Sequence, residues 1–271
     1  MPELPEVETT RRGIARHITG RRITEVVVRE HRLRWQLPRG FRDAVHGARI
    51  ERAGRRGKYL LLHTDRGTLI IHLGMSGSLR LVNPATTLLP HDHVDLVLDS
   101  GATLRFNDPR RFGSLHFTTG DPLSHPLLRN LGPEPLSAGF DGSYLWQRAR
   151  HRRVAIKQFI MNAAIVVGVG NIYASEALFR AGIRPTLAAR RISRERMQKL
   201  VDTIREVLED AIRVGGTTLR DYVNAEGAPG YFRQKLYVYE RAGRPCRRCH
   251  ATIRQITQGQ RSTYFCPSCQ K

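Results

Sequence analysis

The chain has 271 residues, enough for two domains with cores of their own, and carries 45 Lys and Arg against 24 Asp and Glu, a net charge of +21. Solubility needs far less charge than that. The excess is mostly arginine and is spread along the chain, which points to a polyanion partner, nucleic acid first, gripped by a folded groove. No apolar run approaches the ~20 residues of a membrane span and no signal-peptide pattern opens the chain. The expectation is therefore a cytosolic protein, nucleoid-associated in a bacterium.

The first predicted element is a helix. Pro2-Glu3-Leu4-Pro5-Glu6 precedes a helical pattern over Val7–Ile14. A plain helix start accounts for these residues, since Pro costs no hydrogen bond in the first turn and Glu suits the positive helix end. A sharper reading begins from the small residue behind Met1, where initiator Met is generally removed. Pro2 would then be a free secondary amine. An α-amino group titrates near 7.7–8.0, against about 10.4 for Lys, so a useful fraction is nucleophilic near neutrality. Attack on an aldehyde-level carbon gives an iminium with no N–H to lose, an electron sink for elimination. Glu3 is placed to move protons at the same centre.

Strands follow at Ile23–Val28, Ala48–Ala53, Tyr59–His63, Leu69–Leu73, Ser78–Val82, Val94–Leu98, Thr103–Phe106 and Leu115–Thr118. Their spacing, with turns at Asp65-Arg66-Gly67 and Asp99-Ser100-Gly101, predicts an antiparallel sandwich or barrel. A boundary is expected at Leu131-Gly132-Pro133-Glu134-Pro135-Leu136. Beyond it the chain reads as helical: Asp141 caps a helix through Arg148, Val154–Met161 forms another, and the longest opens at Ser193 and ends at Gly215-Gly216. Between helices, Val167-Gly168-Val169-Gly170-Asn171 leads straight into a further helix. That presents free N–H groups at a positive helix end, a ready phosphate site, although a tight helix–helix turn needs the same glycines.

All four cysteines lie near the C-terminus. Cys246-Arg247-Arg248-Cys249 and Cys266-Pro267-Ser268-Cys269 are sixteen residues apart, the spacing of a closed, structural four-thiolate zinc ribbon rather than a catalytic metal. An intracellular compartment disfavours disulfides as the alternative. Thr252–Ile256 and Ser262–Phe265 read as a hairpin around Gln258-Gly259-Gln260-Arg261. Arg261 at its tip can reach a DNA groove or backbone, or remain a solvated turn residue. His91-Asp92-His93 has the composition of a metal site, but with a complete ribbon elsewhere loop polar contacts or DNA contact are expected of it.

Five stretches in collinear order carry a resemblance over the whole chain: Pro2–Glu8, His72-Leu73-Gly74-Met75-Ser76-Gly77, Asn107-Asp108-Pro109-Arg110-Arg111-Phe112-Gly113, the Gly168–Glu176 turn and the terminal ribbon. Together they resemble the formamidopyrimidine-DNA glycosylases, bacterial base-excision enzymes for oxidised purines. The resemblance implies an α+β multidomain fold. An N-terminal antiparallel β-sandwich spans 1–132, a helical domain with a helix–two-turn–helix motif and a lesion-recognition loop spans 133–236, and a zinc finger spans 237–271. It implies Pro2 as nucleophile, Glu3 as acid/base partner, Lys58 as a phosphate contact and proton-transfer group, and Arg261 as the zinc-finger phosphate grip. Asn171, His91 and Arg152 match DNA contacts, and Met75, Arg110 and Phe112 match residues that fill the gap left by a flipped base. The implied partner is double-stranded DNA carrying oxidised bases or abasic sites, bound by a monomer with one structural Zn2+ and no catalytic metal.

The local chemistry agrees with those roles. A damaged base must be unstacked before it can be reached. Met75 is soft enough to fill the void, Phe112 can wedge between base steps and Arg110 can hydrogen-bond the orphaned partner; ordinary sandwich core is the plainer alternative for Met75 and Phe112, but their loops are Gly-flanked and Phe112 follows two arginines, which favours the functional role. The chain departs from common family residues at Asn162, where an acid is frequent, at Arg220, where Lys is, and at Glu240, where Gly is. Arg220 bears on lesion preference. Two other functions compete. An endonuclease VIII-type glycosylase for oxidised pyrimidines is opposed by Leu4, Val7, the Met75/Arg110/Phe112 set and the long Thr217–Leu236 loop. A non-catalytic zinc-ribbon DNA-binding protein is opposed by the intact Pro2-Glu3 start.

Overall fold

The computed structural model describes residues 2–216 and 236–271. The described residues divide into two compact units, one of 2–129 with 214–216 and the other of 130–213 with 236–271.

The first unit begins with helix α1 (Leu4–Ile18), whose residues Leu4, Val7, Ile14 and Ile18 are all buried. Their three-, four- and seven-residue spacing lays one apolar stripe inward. Eight antiparallel strands follow: β1 (Ile23–Val28), β2 (Ile50–Arg56), β3 (Tyr59–Thr64), β4 (Gly67–His72), β5 (Ser78–Val82), β6 (Asp92–Leu98), β7 (Thr103–Asn107) and β8 (Ser114–Thr118). They form two sheets in the orders β1-β6-β7-β5 and β2-β3-β4-β8. Val26, Leu96 and Phe106 from one sheet share a core with Leu60, Leu62, Ile71 and Leu115 from the other, and α1 adds Val7 and Ile14. Each such side chain contributes about 1.5–3 kcal/mol relative to exposure. This is the expected sandwich. Short helix α2 (Phe41–Val45) has no signal in the sequence; five residues give too little periodicity, and its cap is a left-handed Gly40. Strand β2 starts and ends later than the expected Ala48–Ala53. Arg49 makes only an isolated bridge to Arg22, whereas Arg55 and Arg56 continue the ladder opposite Leu60 and Tyr59 although they are polar.

The second unit contains α3 (Gly142–Ala149), α4 (Ile156–Ile160), α5 (Asn171–Ala181) and α6 (Arg194–Arg213). Asp141 caps α3 as expected, accepting from Tyr144 N at 2.7 Å. Gly142 lets α3 approach α6, because a Cβ there would lie 2.6 Å from Gln198 Cα. Helix α4 is shorter than the expected Val154–Met161, because Ala155 is extended and bridges Ala188. Met197, Leu200, Val201, Ile204, Val207, Leu208 and Ala211 of α6 are buried as their periodicity requires. The C-terminal hairpin pairs β9 (Arg254–Gln258) with β10 (Arg261–Phe265) around a two-residue turn in which Gly259 and Gln260 both have positive φ, +55° and +59°. That is the turn whose twist matches a hairpin. Arg261 is consequently the first residue of β10 rather than part of the turn. Among the described residues no helix is long and apolar enough to cross a membrane.

Candidate functional site

In the first unit, Pro2 and Glu3 are buried at the head of α1, Glu3 being 2 % exposed. Glu3 is the N-cap and forms a reciprocal capping box with Glu6, whose Oε2 accepts from Glu3 N at 2.8 Å. The orphan donors of the helix start thereby fix the backbone next to Pro2. Gly216, at φ +83°, packs on the same corner, and a Cβ there would sit 3.1 Å from Glu6 Oε1.

Lys58 occupies the β2–β3 turn behind Gly57, which has φ +55°. Arg55 braces that turn, donating to Gly57 O at 2.9 Å and to Glu8 Oε2 at 3.2 Å. Glu8 also accepts from Arg11 and Arg12. Burial alone would raise the Glu8 carboxyl, but these guanidinium groups overcome it and hold it at about 2. A carboxyl depressed on folding contributes stability above its unfolded value near 4.5, which is lost as pH falls toward about 2. The melting temperature of the parent is therefore expected to exceed that of Glu8→Gln near neutrality, with the gap closing below about pH 4.5. A gap independent of pH sinks this account of the brace.

His72 lies in a motif of the sequence that assigns it no role of its own. Its Nδ1 accepts from Gly74 N at 3.0 Å, which leaves the proton on Nε2. Burial, then the Lys58 and Arg34 charges, push it down to about 4. It is a neutral donor in the field of Lys58, and only the tertiary contact reveals that.

Met75 and Phe112 are 38 % and 42 % exposed and stand outside the sandwich core, against the ordinary-core alternative. Arg110 lies over the Phe112 ring, with Cζ 4.9 Å from the centroid. The next residue, Arg111, is held left-handed at φ +54° and pairs with Glu30 at 3.1 Å. His91 is also left-handed, at φ +73°, and exposed. Its neighbours turn elsewhere: Asp92 pairs with Arg80 and Arg105, and the buried His93 ring binds Asp108 O at 2.9 Å. The triplet does not converge. Among the described residues, the four cysteines are the group of three or more such side chains close enough to hold a metal.

In the second unit, Asn171 opens α5 behind Gly168 and Gly170. Its Oδ1 accepts from Lys157 Nζ at 2.7 Å and its Nδ2 donates to Ser262 O at 3.0 Å. Lys157 is 1 % exposed and donates also to Thr263 Oγ1 at 2.7 Å and Ser262 O at 3.1 Å. A buried ammonium survives only with such partners. It joins α4, the start of α5 and β10 at the residue after Arg261. Sequence reading missed it; the one available signal is that Lys157 is the single charge in the stretch Val154–Met161. Arg261 is exposed beside this network, and Arg152 is exposed after α3.

Cys246 and Cys269 Sγ are 3.9 Å apart, Cys249 and Cys266 Sγ 3.4 Å, and all four lie within 4.8 Å of one another. A tetrahedral zinc with Zn–S near 2.3 Å needs edges of about 3.8 Å, so the thiolates fit a structural zinc. Of the departures, Asn162 Oδ1 accepts from Ala164 N at 2.9 Å and holds the turn after α4. Glu240 has φ +55°, where glycine fits without the ~1 kcal/mol that a side chain costs. Arg220 and residues 217–235 of the expected lesion-recognition loop lie outside the described residues.

Three family models match the chain. They are the formamidopyrimidine-DNA glycosylase N-terminal domain over residues 1–115, the formamidopyrimidine-DNA glycosylase H2TH domain over 131–223, and the zinc finger found in FPG and IleRS over 243–271. Formamidopyrimidine-DNA glycosylases of Thioalkalivibrio sulfidiphilus and Methylococcus capsulatus are 59 % and 58 % identical, each over 100 % of both chains. The crystal structure of the MutM (Fpg) protein of Thermus thermophilus superposes with a TM-score of 0.89 at 39 % identity, covering 99 % of this chain and 98 % of the other. The Lactococcus lactis Fpg in complex with abasic-site DNA gives 0.92 at 34 % identity, covering 99 % of each.

Proposed function

Because the chain belongs to the formamidopyrimidine-DNA glycosylase family, we propose that it excises oxidised purines, 8-oxoguanine and formamidopyrimidines, from double-stranded DNA and then nicks the abasic strand. The observation that carries this reading is the buried Pro2-Glu3 pair, clamped by a capping box at the head of α1. Once Met1 is removed, the Pro2 nitrogen adds to C1′ and the base departs with the N-glycosidic electron pair. Glu3 protonates the ring oxygen as the sugar opens to an iminium. The iminium acidifies C2′–H; its loss expels the 3′ phosphate, a second elimination expels the 5′ phosphate, and water then frees the amine. Lys58 serves phosphate contact and proton transfer.

Met75, Arg110 and Phe112 fill and read the space left by the everted nucleotide, Arg152, Asn171 and Arg261 hold phosphates, and His91 contacts the DNA. The functional division is 1–132 catalytic, 133–236 helical with the lesion-recognition loop, and 237–271 zinc finger. One structural Zn2+ is bound, no catalytic metal takes part, and the protein works as a monomer on nucleoid DNA in the bacterial cytoplasm. Single-turnover rates on matched duplexes carrying 8-oxoguanine, an oxidised pyrimidine or an abasic site test the lesion class. Faster excision of 8-oxoguanine than of the pyrimidine is expected, and the reverse order establishes the endonuclease VIII-type reading instead.

The exposed position of Arg261 gives a further expectation. Arg261→Ala should lower the slope of log K against log salt by roughly one and weaken all duplex sequences alike. An unchanged slope means that Arg261 reads bases or only packs.

A further inference from the structure

Asp108 directly follows β7 and is fully buried, 0 % exposed. Both carboxylate oxygens are used: Oδ2 accepts from Gly113 N at 2.7 Å and Oδ1 accepts from Ser76 Oγ at 3.2 Å. Its main chain is engaged as well. Asp108 N donates to His91 O at 3.1 Å, and Asp108 O accepts from Arg111 N at 3.1 Å and from His93 Nε2 at 2.9 Å. Three loops therefore meet on one residue. The Gly74 and Gly113 loops are in direct backbone contact, since a Cβ on Gly74 would lie 2.4 Å from Gly113 N and 2.5 Å from the Phe112 carbonyl carbon. Burying a carboxylate costs more than an apolar filler at the same place. The ladders fix the loop ends, at His72 opposite Ser114 and Ser78 opposite Asn107; what the carboxylate supplies is two directional bonds that tie the loop tips between those ends. The bonded residues flank the exposed ones: Ser76 follows Met75, and Gly113 follows Phe112.

We infer that Asp108 is a positioning residue that makes Met75, Arg110 and Phe112 act as one rigid unit when an everted nucleotide leaves its place in the stack. This rests on the void-filling reading of Met75 and Phe112 given above. Rigid presentation matters because a displacement of about 1 Å at such a site can cost on the order of 10²-fold in rate.

The test is a mutant cycle on the full zinc-loaded chain, comparing Asp108→Ala in the parent and in a Met75→Ala/Phe112→Ala background. The readouts are single-turnover excision of 8-oxoguanine, cleavage of a preformed abasic site, and the fluorescence of 2-aminopurine placed beside the lesion. In the parent, Asp108→Ala should slow excision by about 10²-fold and reduce the fluorescence rise, with a loss about tenfold smaller on the abasic duplex, which has no base to unstack. Asp108→Asn, whose Oδ1 can accept from Gly113 N while Nδ2 donates to Ser76 Oγ, should restore most of the rate. In the double-alanine background, Asp108→Ala should add little, because the side chains it positions are gone. The same fold loss in both backgrounds overturns the inference and leaves the void-filling reading standing. Unchanged excision and fluorescence in Met75→Ala/Phe112→Ala removes that reading, and the inference with it. If Asp108→Ala no longer melts cooperatively, Ser76→Ala, which cuts one of the two bonds, takes its place in the cycle. A tenfold loss at the parent melting temperature then supports the role, and full activity overturns it.

Discussion

Borohydride added to the processed protein on an abasic duplex should trap a covalent protein–DNA adduct whose reduced bond maps to the Pro2 nitrogen. The expectation rests on proton affinity. At about pH 7.2 roughly one in six α-amino groups is unprotonated, against about one in a thousand ordinary lysines. Pro2 is also buried at a capped helix head, so its approach to a sugar carbon is not averaged over a fraying terminus. Retention of Met1 turns the nitrogen into an amide, which has no nucleophilic lone pair, and should abolish both trapping and excision. Pro2→Gly keeps an amine but forms an iminium that can lose its N–H, and it should trap more slowly at the same position. Mass spectrometry of the trapped N-terminal peptide is the measurement. An unprocessed chain that traps at the full rate through a lysine would falsify the N-terminal mechanism.

The second large effect concerns the zinc. Cys266→Ser should release the metal and weaken duplex binding on the order of ten- to a hundredfold, the loss of one or two phosphate contacts at about 1.4 kcal/mol per factor of ten. The hairpin of β9 and β10 has only two strands, and such a pair is marginal alone in water. Its support is a small cluster in which Cys246 and Cys266 pack with Phe179, Val238 and Ile253. Without zinc the cluster loses its centre, and Arg261, Ser262 and Thr263 lose their place beside Lys157 and Asn171. The sandwich has its own core and should keep its own melting transition. Metal content by atomic spectroscopy and binding by anisotropy follow the two events. Brief EDTA should spare strand cleavage in the parent, and an absolute Mg2+ requirement would overturn the metal-free mechanism.

Much of the architecture is readable because it is written locally. The Asp141 cap, the apolar stripe of α6, the strand alternation and the cysteine spacing each depend on residues close in sequence. Strand ends are less legible: Arg55 and Arg56 look like loop yet lie in the β2 ladder, because a ladder is held by backbone rather than by side-chain polarity. Within the candidate site, Pro2, Glu3, Lys58 and Arg261 can be named from motifs. Partners far away in the chain cannot, although the Glu6 that clamps Glu3 lies only three residues on. Asp108 bonds to Ser76 across 32 positions, and Lys157 to Thr263 across 106. No local pattern separates such a residue from a solvated one. The His72 tautomer is set by the Gly74 amide two residues on, but its lowered pKa comes from burial and from the Lys58 and Arg34 charges, distant in sequence.

The Lys157 network also bears on the order in which the molecule assembles. Its bonds to Ser262 and Thr263 close a loop of more than a hundred residues, 105 and 106 positions apart. Closing such a chain costs on the order of 4 kcal/mol in entropy before any contact rewards it, and contacts of that range form slowly. The cysteine pairs lie close together in sequence and can chelate early. The ribbon is therefore expected to fold as a separate kinetic unit and dock late, and a refolding experiment should show metal uptake ahead of DNA-binding competence.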